Sequence, residues 1–546
     1  MAGLDVLGRS ARALLFTNPL YRLSLTGALP DRFRAELGDP WPGDPQIGEQ
    51  LLAGQIELAG YRWRIDPHDA WQSAPAPVAA AALHGFGWLA HLRAFASESR
   101  VSSTDLAEAR RWARLMVDDW IGGHDGWSEL AWRPDVMGAR LDAWIRARDF
   151  LLASADDGFT RTVVQSVAKQ SRHLARILAI WEGADPAGRF KATKGLVVSG
   201  AVLPDGDRVI EAGIGHLSRE LGTWVLSDGT PTGRAASDGV QLARDLLDMR
   251  RALALGGRAL PPAVATTLGR LIGVIRLTQH GDGALSRLAG GVDLDKEQVD
   301  TVVRQFGARQ RAVRSARVGG LERISAGRVV VVFDTGARGQ ERDRVTSTIR
   351  GGLGFEMSAG RQRLVISCGT MVGDTNSARA WRDALSGPAA YSTLEVPGVE
   401  PGKLVSQRGL KAPSRRTNEA GTLVEAGYGG YTDRIGLEHW RRLFLAEDGA
   451  ELIGEDTLIG RPLLPVRLRF HLDPSVDVAL GQDPTIALLR TPHAGGWRLH
   501  ATAPLVIAES VSLADGRVVR QCQQLVLEAE TSAGTATTLK WSITRA

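Results

Sequence analysis

The segment Gly352-Leu-Gly-Phe-Glu-Met-Ser-Ala-Gly-Arg-Gln-Arg-Leu-Val-Ile-Ser-Cys-Gly-Thr370 contains two strand-like runs. The apolar and β-branched residues of Arg363–Ser367 are typical of a strand. Further strand-like runs cover residues 328–334, 466–472, 524–530 and 538–543. Turns that contain Gly, Asp or Pro separate these runs. Short strands at such close spacing predict an antiparallel β-sandwich over residues 318–546.

The first half of the chain has a different pattern. Apolar residues recur at helical spacing between residues 70 and 310, for example in Asp105–Val117 and Val240–Leu253. Helices first and strands second predict an α+β multidomain fold, with an all-α domain followed by an all-β domain. Residues 1–69 are interpreted as an N-terminal arm and the start of the helical domain.

Composition limits the possible functions. A chain of 546 residues is too long to form a single hydrophobic core of ordinary size. Its contents of 44% hydrophobic and 23% charged residues are typical of globular proteins. The net charge of +5 is small for this length, and the arginines are spread along the chain. This distribution favours acidic ligands over nucleic acid, which usually needs a concentrated basic face. The sequence shows no apolar run of about 18 residues that could span a membrane. The N-terminus lacks the apolar core of a secretory signal, so we expect a cytoplasmic protein and consider a periplasmic one less likely.

Several motifs together resemble the heparinase II/III-like family, whose best-known members are polysaccharide lyases. In the second half these are the opening segment, Tyr391–Glu395 and Gly427–Arg442. In the first half they are Trp132–Ile145, Val225–Gly229 and His280–Gly283. The resemblance covers about residues 60–540. It implies an incomplete (α/α) toroid followed by an antiparallel β-sandwich, with the substrate cleft between them.

The same resemblance implies a reaction. Lyases of this family cleave an acidic polysaccharide or oligosaccharide beside a uronic acid by β-elimination. A base removes the proton next to the carboxylate, a neutralising group stabilises the charge that develops, and a Tyr commonly protonates the leaving oxygen. Some members also hold zinc in the β-domain.

The chain departs from the family where this chemistry would lie. The toroid helix that carries an Asn in lyases corresponds to Ala187–Lys194, where Arg189 or Lys191 could neutralise a carboxylate instead; a solvated helix end is the alternative. In the toroid loop Asp238 replaces the catalytic Tyr. Arg234 persists there, and it could bind an acidic sugar or form a structural salt bridge.

The histidines of the family are also replaced. Ile349 and Tyr391 occupy positions where metal-binding or catalytic histidines are expected, and no histidine occurs between His280 and His439. We therefore predict no bound metal and no other cofactor.

Tyrosines are the remaining candidates for acid–base catalysis. Tyr391 and Tyr431 lie in the motif region, and a nearby Arg434 could lower the pKa of the Tyr431 phenol from its usual value of about 10. Strand alternation would place Tyr431 and His439 on one face if no turn intervenes. The alternative is that these side chains pack the sandwich or its edge.

Three further residues are candidates for substrate binding. Trp127 and Trp132 could line a cleft, because indole rings stack on sugars, although most tryptophans of a toroid pack between helices. Glu356 lies in a strand-like run and would be costly to bury unpaired, so it is either a site carboxylate or the ion-pair partner of Arg361 or Arg363.

Three functions remain open. The first is a lyase that acts on a uronic-acid-containing glycan. The second is a catalytically inactive member that binds a glycan or a partner. The third is a glycosidase, which would need a carboxylate pair such as Asp238 and Glu356.

Overall fold

The computed structural model describes residues 13–41, 43–181, 186–307, 312–337, 344–346, 351–402, 412–460 and 463–546. The chain forms two compact units. The first unit comprises Met1–Leu221, Asp245–Ala265 and Gly373–Thr375. The second comprises Gly222–Arg244, Thr266–Val372 and Asn376–Ala546. The predicted boundaries at residues 69/70, 310 and 318 stay predictions.

Helices dominate the first half of the chain, as the periodicity predicts. Their bounds are Pro19–Thr26, Pro45–Leu52, Pro77–His84, Leu89–Ala96, Ser103–His124, Pro134–Arg146, Arg148–Leu152, Asp157–Ile177, Pro186–Val202, Asp207–Trp224, Ala236–Leu255, Pro262–Thr278 and Lys296–Phe306. In the described part of the second half, the helices Asn376–Ala384 and Thr432–Ile435 follow. None of the helices within the described ranges combines the length and apolarity that a membrane crossing requires.

Local sequence explains where several helices begin. Pro134 starts its helix at a position where a missing backbone N–H costs nothing. Asp156 caps the helix Asp157–Ile177 by accepting a hydrogen bond from the backbone N–H of Phe159. The apolar run from Ala79 to Arg93 forms two helices rather than one, because the chain turns between them, where Phe86 has a φ of +57°.

Two helices of the first unit approach each other through glycines. Gly138 lies in Pro134–Arg146, and a Cβ atom there would lie 2.4 Å from the carbonyl oxygen of Lys191. On the facing helix, a Cβ atom at Gly195 would lie 2.5 Å from the Cα atom of Gly138. The absence of both side chains lets the backbones touch.

The described residues of the second unit form two antiparallel sheets. One has eight strands in the order Asp477–Leu480, Ile486–Thr491, Gly495–Ala501, Thr537–Arg545, Glu451–Ile459, Glu438–Ala446, Gly421–Tyr428 and Ser414–Asn418. The other has nine, in the order Leu505–Ser512, Arg520–Glu530, Pro465–Leu472, Gln362–Ile366, Phe355–Ala359, Val329–Asp334, Leu321–Ala326 and Ser315–Ala316, with Leu394–Glu395 paired to Pro465–Leu472. A separate hairpin of the first unit joins Gln55–Leu58 to Tyr61–Arg64.

The two large sheets share one hydrophobic core. Strand Glu438–Ala446 alternates buried and more exposed residues, as a strand with one covered face should. Phe355 of the nine-stranded sheet stacks on Trp541 of the eight-stranded sheet, with ring centroids 5.2 Å apart. The strands predicted from residues 328–334, 363–367, 466–472, 524–530 and 538–543 are therefore confirmed, within a few residues at their ends.

Candidate functional site

Tyr391 and Tyr431, two of the predicted catalytic residues, lie inside the second unit. Their exposed fractions are 1% and 0%, and burial raises the pKa of both phenols. The Tyr431 hydroxyl donates a 3.4 Å hydrogen bond to the backbone oxygen of Leu394. The Tyr391 ring covers Gly351, where a Cβ atom would lie 2.3 Å from it. These contacts are those of core side chains.

The connection between the paired strands Gly421–Tyr428 and Glu438–Ala446 differs from the expectation in one respect. The predicted hairpin is confirmed, since Tyr428 pairs with His439. However, the helix Thr432–Ile435 intervenes, so strand alternation does not relate Tyr431 to His439. Arg434 lies exposed on this helix, and the pKa of Tyr431 is raised by burial, not lowered by an arginine. The expected activation of Tyr431 by Arg434 is therefore wrong.

His439, the third predicted catalytic residue, belongs to a buried polar cluster. Its Nε2 atom lies 2.6 Å from Oδ1 of Asp456, which also accepts a 2.7 Å hydrogen bond from Nε of Arg441. The indole N–H of Trp541 donates to the other oxygen of the same carboxylate at 2.9 Å. Burial opposes ionisation of Asp456, but the charge of Arg441 and the hydrogen bond to His439 outweigh it and lower the pKa of the carboxyl group. The cluster neutralises its own charge inside the core.

Arg234 forms the structural salt bridge that was one of its two predicted roles. Its guanidinium group is buried and contacts both oxygens of Asp334, at 2.5 and 3.2 Å. Nε also donates to the carbonyl oxygen of Gly319 at 2.8 Å. The donors of this side chain are thus occupied by the protein.

The two basic candidates of the toroid helix have different environments. Arg189 pairs with Glu220, with contacts of 2.5 and 3.0 Å, and donates to the backbone oxygen of Trp181. Lys191 lies exposed on the same helix, Pro186–Val202. Neutralisation of a substrate carboxylate by either residue stays a prediction.

Trp127 and Trp132 line one groove of the first unit. Its volume is about 360 Å³. Trp132 is nearly buried and donates from its indole N–H to the backbone oxygen of His124 at 2.8 Å, whereas Trp127 is partly exposed. Phe16, Tyr21 and His173 also line the groove. Aromatic walls of this kind suit a flat apolar surface.

A tyrosine–histidine pair lies in this groove, and the sequence analysis did not identify it. The Tyr21 hydroxyl lies 2.7 Å from Nδ1 of His173. Nε2 of the same imidazole is buried and has no hydrogen-bond partner within the described part of the chain. Burial, with a contribution from Arg176, lowers the pKa of His173 to about 3, so the ring is neutral at physiological pH. The two partners lie 152 positions apart in the chain, so no local pattern indicated the pair.

Glu356 has a partner other than the predicted arginines. Its carboxylate lies 3.0 Å from Nε2 of His280 and accepts a 3.0 Å hydrogen bond from the backbone N–H of Arg287. Arg363 instead contacts Asp282 and Asp293, each at 3.0 Å. The predicted direct ion pair of Glu356 with Arg361 or Arg363 is therefore wrong. The charges of His280, Arg287 and Arg363 nevertheless outweigh the effect of burial and lower the pKa of Glu356.

A buried ionic cluster in the first unit was also not predicted. Nζ of Lys194 lies 2.8 Å from Asp142, 2.7 Å from Asp245 and 3.1 Å from Asp248. Arg146 contacts Asp142 and Asp248. The charged side chains come from three helices, Pro134–Arg146, Pro186–Val202 and Ala236–Leu255, so the cluster joins distant parts of the chain.

The comparisons with known proteins find similarity to one family. The family described as "Heparinase II/III-like, C-terminal" matches residues 308–542. Residues 308–542 belong to the heparinase II/III-like family. Over nearly its whole length the chain is 28% identical to FtsZ-localized protein C of Caulobacter vibrioides, with 96% of this chain and 92% of the relative covered.

Solved structures of lyases share the fold. Heparan sulfate lyase HepC of Pedobacter heparinus has a TM-score of 0.65 at 14% identity, with 98% of this chain and 88% of that chain covered. A heparinase III has a TM-score of 0.68 at 12% identity, with 90% and 80% covered. These values show a helical toroid followed by an antiparallel β-sandwich, which confirms the predicted fold class.

A zinc site of the kind found in some relatives does not fit the residues present. No group of three or more potential ligands among His, Cys, Asp and Glu is assembled within the described ranges. Tyr391, at a histidine position of the family, packs its ring against Gly351. Ile349, at another such position, lies outside the described residues.

Proposed function

We propose that this heparinase II/III-like protein functions by binding a partner, as a component associated with FtsZ, and does not cleave a polysaccharide. The burial of Tyr391, Tyr431 and His439 carries the proposal. A proton-transfer group must come within about 3 Å of its substrate. These three side chains could do so only if the sandwich core opened.

The similarity to the relative from Caulobacter supports FtsZ as the partner. The similarity to FtsZ-localized protein C spans 96% of this chain, so it includes both the helical and the sheet-forming parts. Association with FtsZ would place the protein in the cytoplasm, as we expect from the sequence. In this role the cleft region of the family no longer needs its lyase residues, which accounts for the loss of the toroid Asn and Tyr.

Sedimentation with FtsZ filaments tests the proposal. Purified full-length protein is mixed with FtsZ of the same organism, assembled with nucleotide, and centrifuged. We expect the protein to pellet in a saturable manner with filaments and to remain in the supernatant without them. In parallel, incubation with heparan sulfate or another uronic-acid glycan should produce no gain in ultraviolet absorbance. A protein that stays in the supernatant with filaments would contradict the assignment of FtsZ.

Lyase activity on an acidic glycan is the second candidate, and the groove between Trp127 and Trp132 favours it. There Tyr21 and His173 would serve as the acid–base pair, with the indoles beside the sugar ring. The pKa of His173, about 3, makes it a weak base, which is why we rank this function second.

One assay separates these functions. A gain in absorbance that Tyr21→Phe abolishes would establish the second candidate, whereas a gain that Tyr431→Phe abolishes would restore the catalytic role predicted for Tyr431. New reducing ends without absorbance would indicate a glycosidase. That third reaction has little structural support, because both oxygens of Glu356 already accept hydrogen bonds within the protein.

A further inference from the structure

A polar pocket of about 500 Å³ lies in the second unit. Four separate elements each contribute a basic side chain: the helix Pro262–Thr278, the helix Lys296–Phe306, the strand Leu321–Ala326 and the turn that follows Phe355–Ala359. In that order, the basic side chains are Arg276, Lys296, Arg323 and Arg361.

Among the described residues, Arg276 and Arg323 have no carboxylate partner of the kind that the buried arginines of this unit have. Nε of Arg276 is buried and has no hydrogen-bond partner in the described part of the chain. Within the described ranges, Arg323 donates to two carbonyl oxygens, those of Leu277 and Gln279, at 2.9 and 2.5 Å. Burial lowers the pKa of Arg323, as expected for a cation without a nearby anion.

The contrast with the rest of the unit is clear. Arg234, Arg363 and Arg441 each contact an aspartate within 3.0 Å. Removing a guanidinium group from water without a counter-charge costs on the order of several kcal/mol. An anion bound from solution would offset this cost.

The charged side chains of the pocket indicate which class of anion would bind there. Its acidic residues are Asp282 and Asp300, and Asp282 is already paired with Arg363 at 3.0 Å. Asp300 therefore opposes four cations. A phosphate monoester, which carries a charge of about −1.5 to −2, neutralises this excess better than a singly charged carboxylate or sulfate ester. The volume also leaves space for an organic group, since ligand pockets measure about 300–1,000 Å³.

We propose that this pocket binds a small phosphate-bearing molecule through the guanidinium groups of Arg276 and Arg323 and the ammonium group of Lys296. Guanidinium groups form paired hydrogen bonds with phosphate oxygens, and lysine adds a point charge. His280, which also lines the pocket, is held by Glu356 and so presents a fixed wall.

Calorimetric titration of the full-length protein with phenyl phosphate and phenyl sulfate, at constant ionic strength, tests the proposal. The two probes share one organic group and differ in charge. We expect saturable binding of one phenyl phosphate per chain, and binding of phenyl sulfate at least several-fold weaker. Absence of saturation, or equal affinity for both probes, would overturn the proposal.

Variants locate the binding. Lys296→Ala removes an exposed cation of the pocket and should weaken phenyl phosphate binding about tenfold, the effect of about 1.4 kcal/mol. Arg498→Ala is the matched control, because Arg498 is an exposed cation on the strand Gly495–Ala501 outside the pocket. It should leave the affinity unchanged. Equal weakening by both variants would assign the binding to general charge and contradict the site.

Discussion

Burial gives His439 a role different from the catalytic one that its sequence context suggests. In the sequence, His439 is an isolated histidine near a tyrosine, which is a pattern compatible with acid–base chemistry. In the fold, its Nε2 atom lies 2.6 Å from Asp456, which also binds Arg441 and Trp541. A histidine with such partners stabilises the core, and its complete burial keeps the imidazole out of reach of a substrate.

Asp456→Asn should strongly destabilise the second unit. The substitution keeps the size of the side chain but leaves the buried charge of Arg441 uncompensated, so the free energy of unfolding should fall by about 3–5 kcal/mol. Urea denaturation measures it. Asp477→Asn is the control, since its pair with Arg490 is exposed and should contribute less than about 1 kcal/mol. Similar losses in the two variants would contradict the role of the cluster.

His173 makes stability depend on pH. Its pKa is about 3 in the folded protein because of burial, but about 6.5 in the unfolded chain. Below pH 6.5 the unfolded state binds a proton that the folded state does not, so stability falls as the pH falls from 6.5 towards 3. Between pH 7.5 and pH 5 this residue alone should cost about 2 kcal/mol.

His173→Gln tests this pH dependence, because an amide does not titrate. Urea denaturation at pH 7.5 and pH 5 should show a smaller loss of stability for the variant than for the unchanged protein. An identical loss in both proteins would show that His173 titrates normally in the folded state.

At the scale of elements, the contact between Pro134–Arg146 and Pro186–Val202 depends on two glycines. Periodicity predicts helices here, but it does not predict that their backbones touch. Gly138→Ala would place a methyl group 2.4 Å from the carbonyl oxygen of Lys191. Such overpacking should lower the free energy of unfolding by about 1–3 kcal/mol.

A Gly→Ala substitution at a helix position with free space should change the free energy of unfolding in the opposite direction. Gly122 lies in the helix Ser103–His124, and no atom lies within 4 Å of a Cβ atom placed there. Gly122→Ala should therefore stabilise the protein by about 0.5–1 kcal/mol, through helix propensity alone. Thermal unfolding of both variants measures the difference, and equal effects would show that the helix contact is looser than described.

At the scale of the whole molecule, the compact units do not follow the simple division of the sequence into helices and then strands. The second unit includes Gly222–Arg244, which supplies Arg234 to Asp334, and Thr266–Val372, which supplies His280 to Glu356. A cut near residue 318 separates these buried partners.

A fragment of residues 318–546 should therefore be much less stable than a fragment of residues 222–546. The shorter fragment retains Asp334 and Glu356 but lacks their partners Arg234 and His280. An unpaired buried charge costs on the order of several kcal/mol. Urea denaturation followed by tryptophan fluorescence should show a cooperative transition only for the longer fragment. A cooperative transition of equal midpoint in both would support the predicted boundary at residue 318.

The sequence by itself determined the order of helices and strands and the sandwich, because periodicity and turn residues are local properties. It also indicated that the lyase positions at Asp238 and Tyr391 are substituted. The tertiary structure alone decided which charges are neutralised. Glu356 pairs with His280, Arg234 pairs with Asp334, and Arg276 and Arg323 have no carboxylate partner in the described residues. Burial and pairing depend on residues far apart in the chain, and no local pattern carries that information.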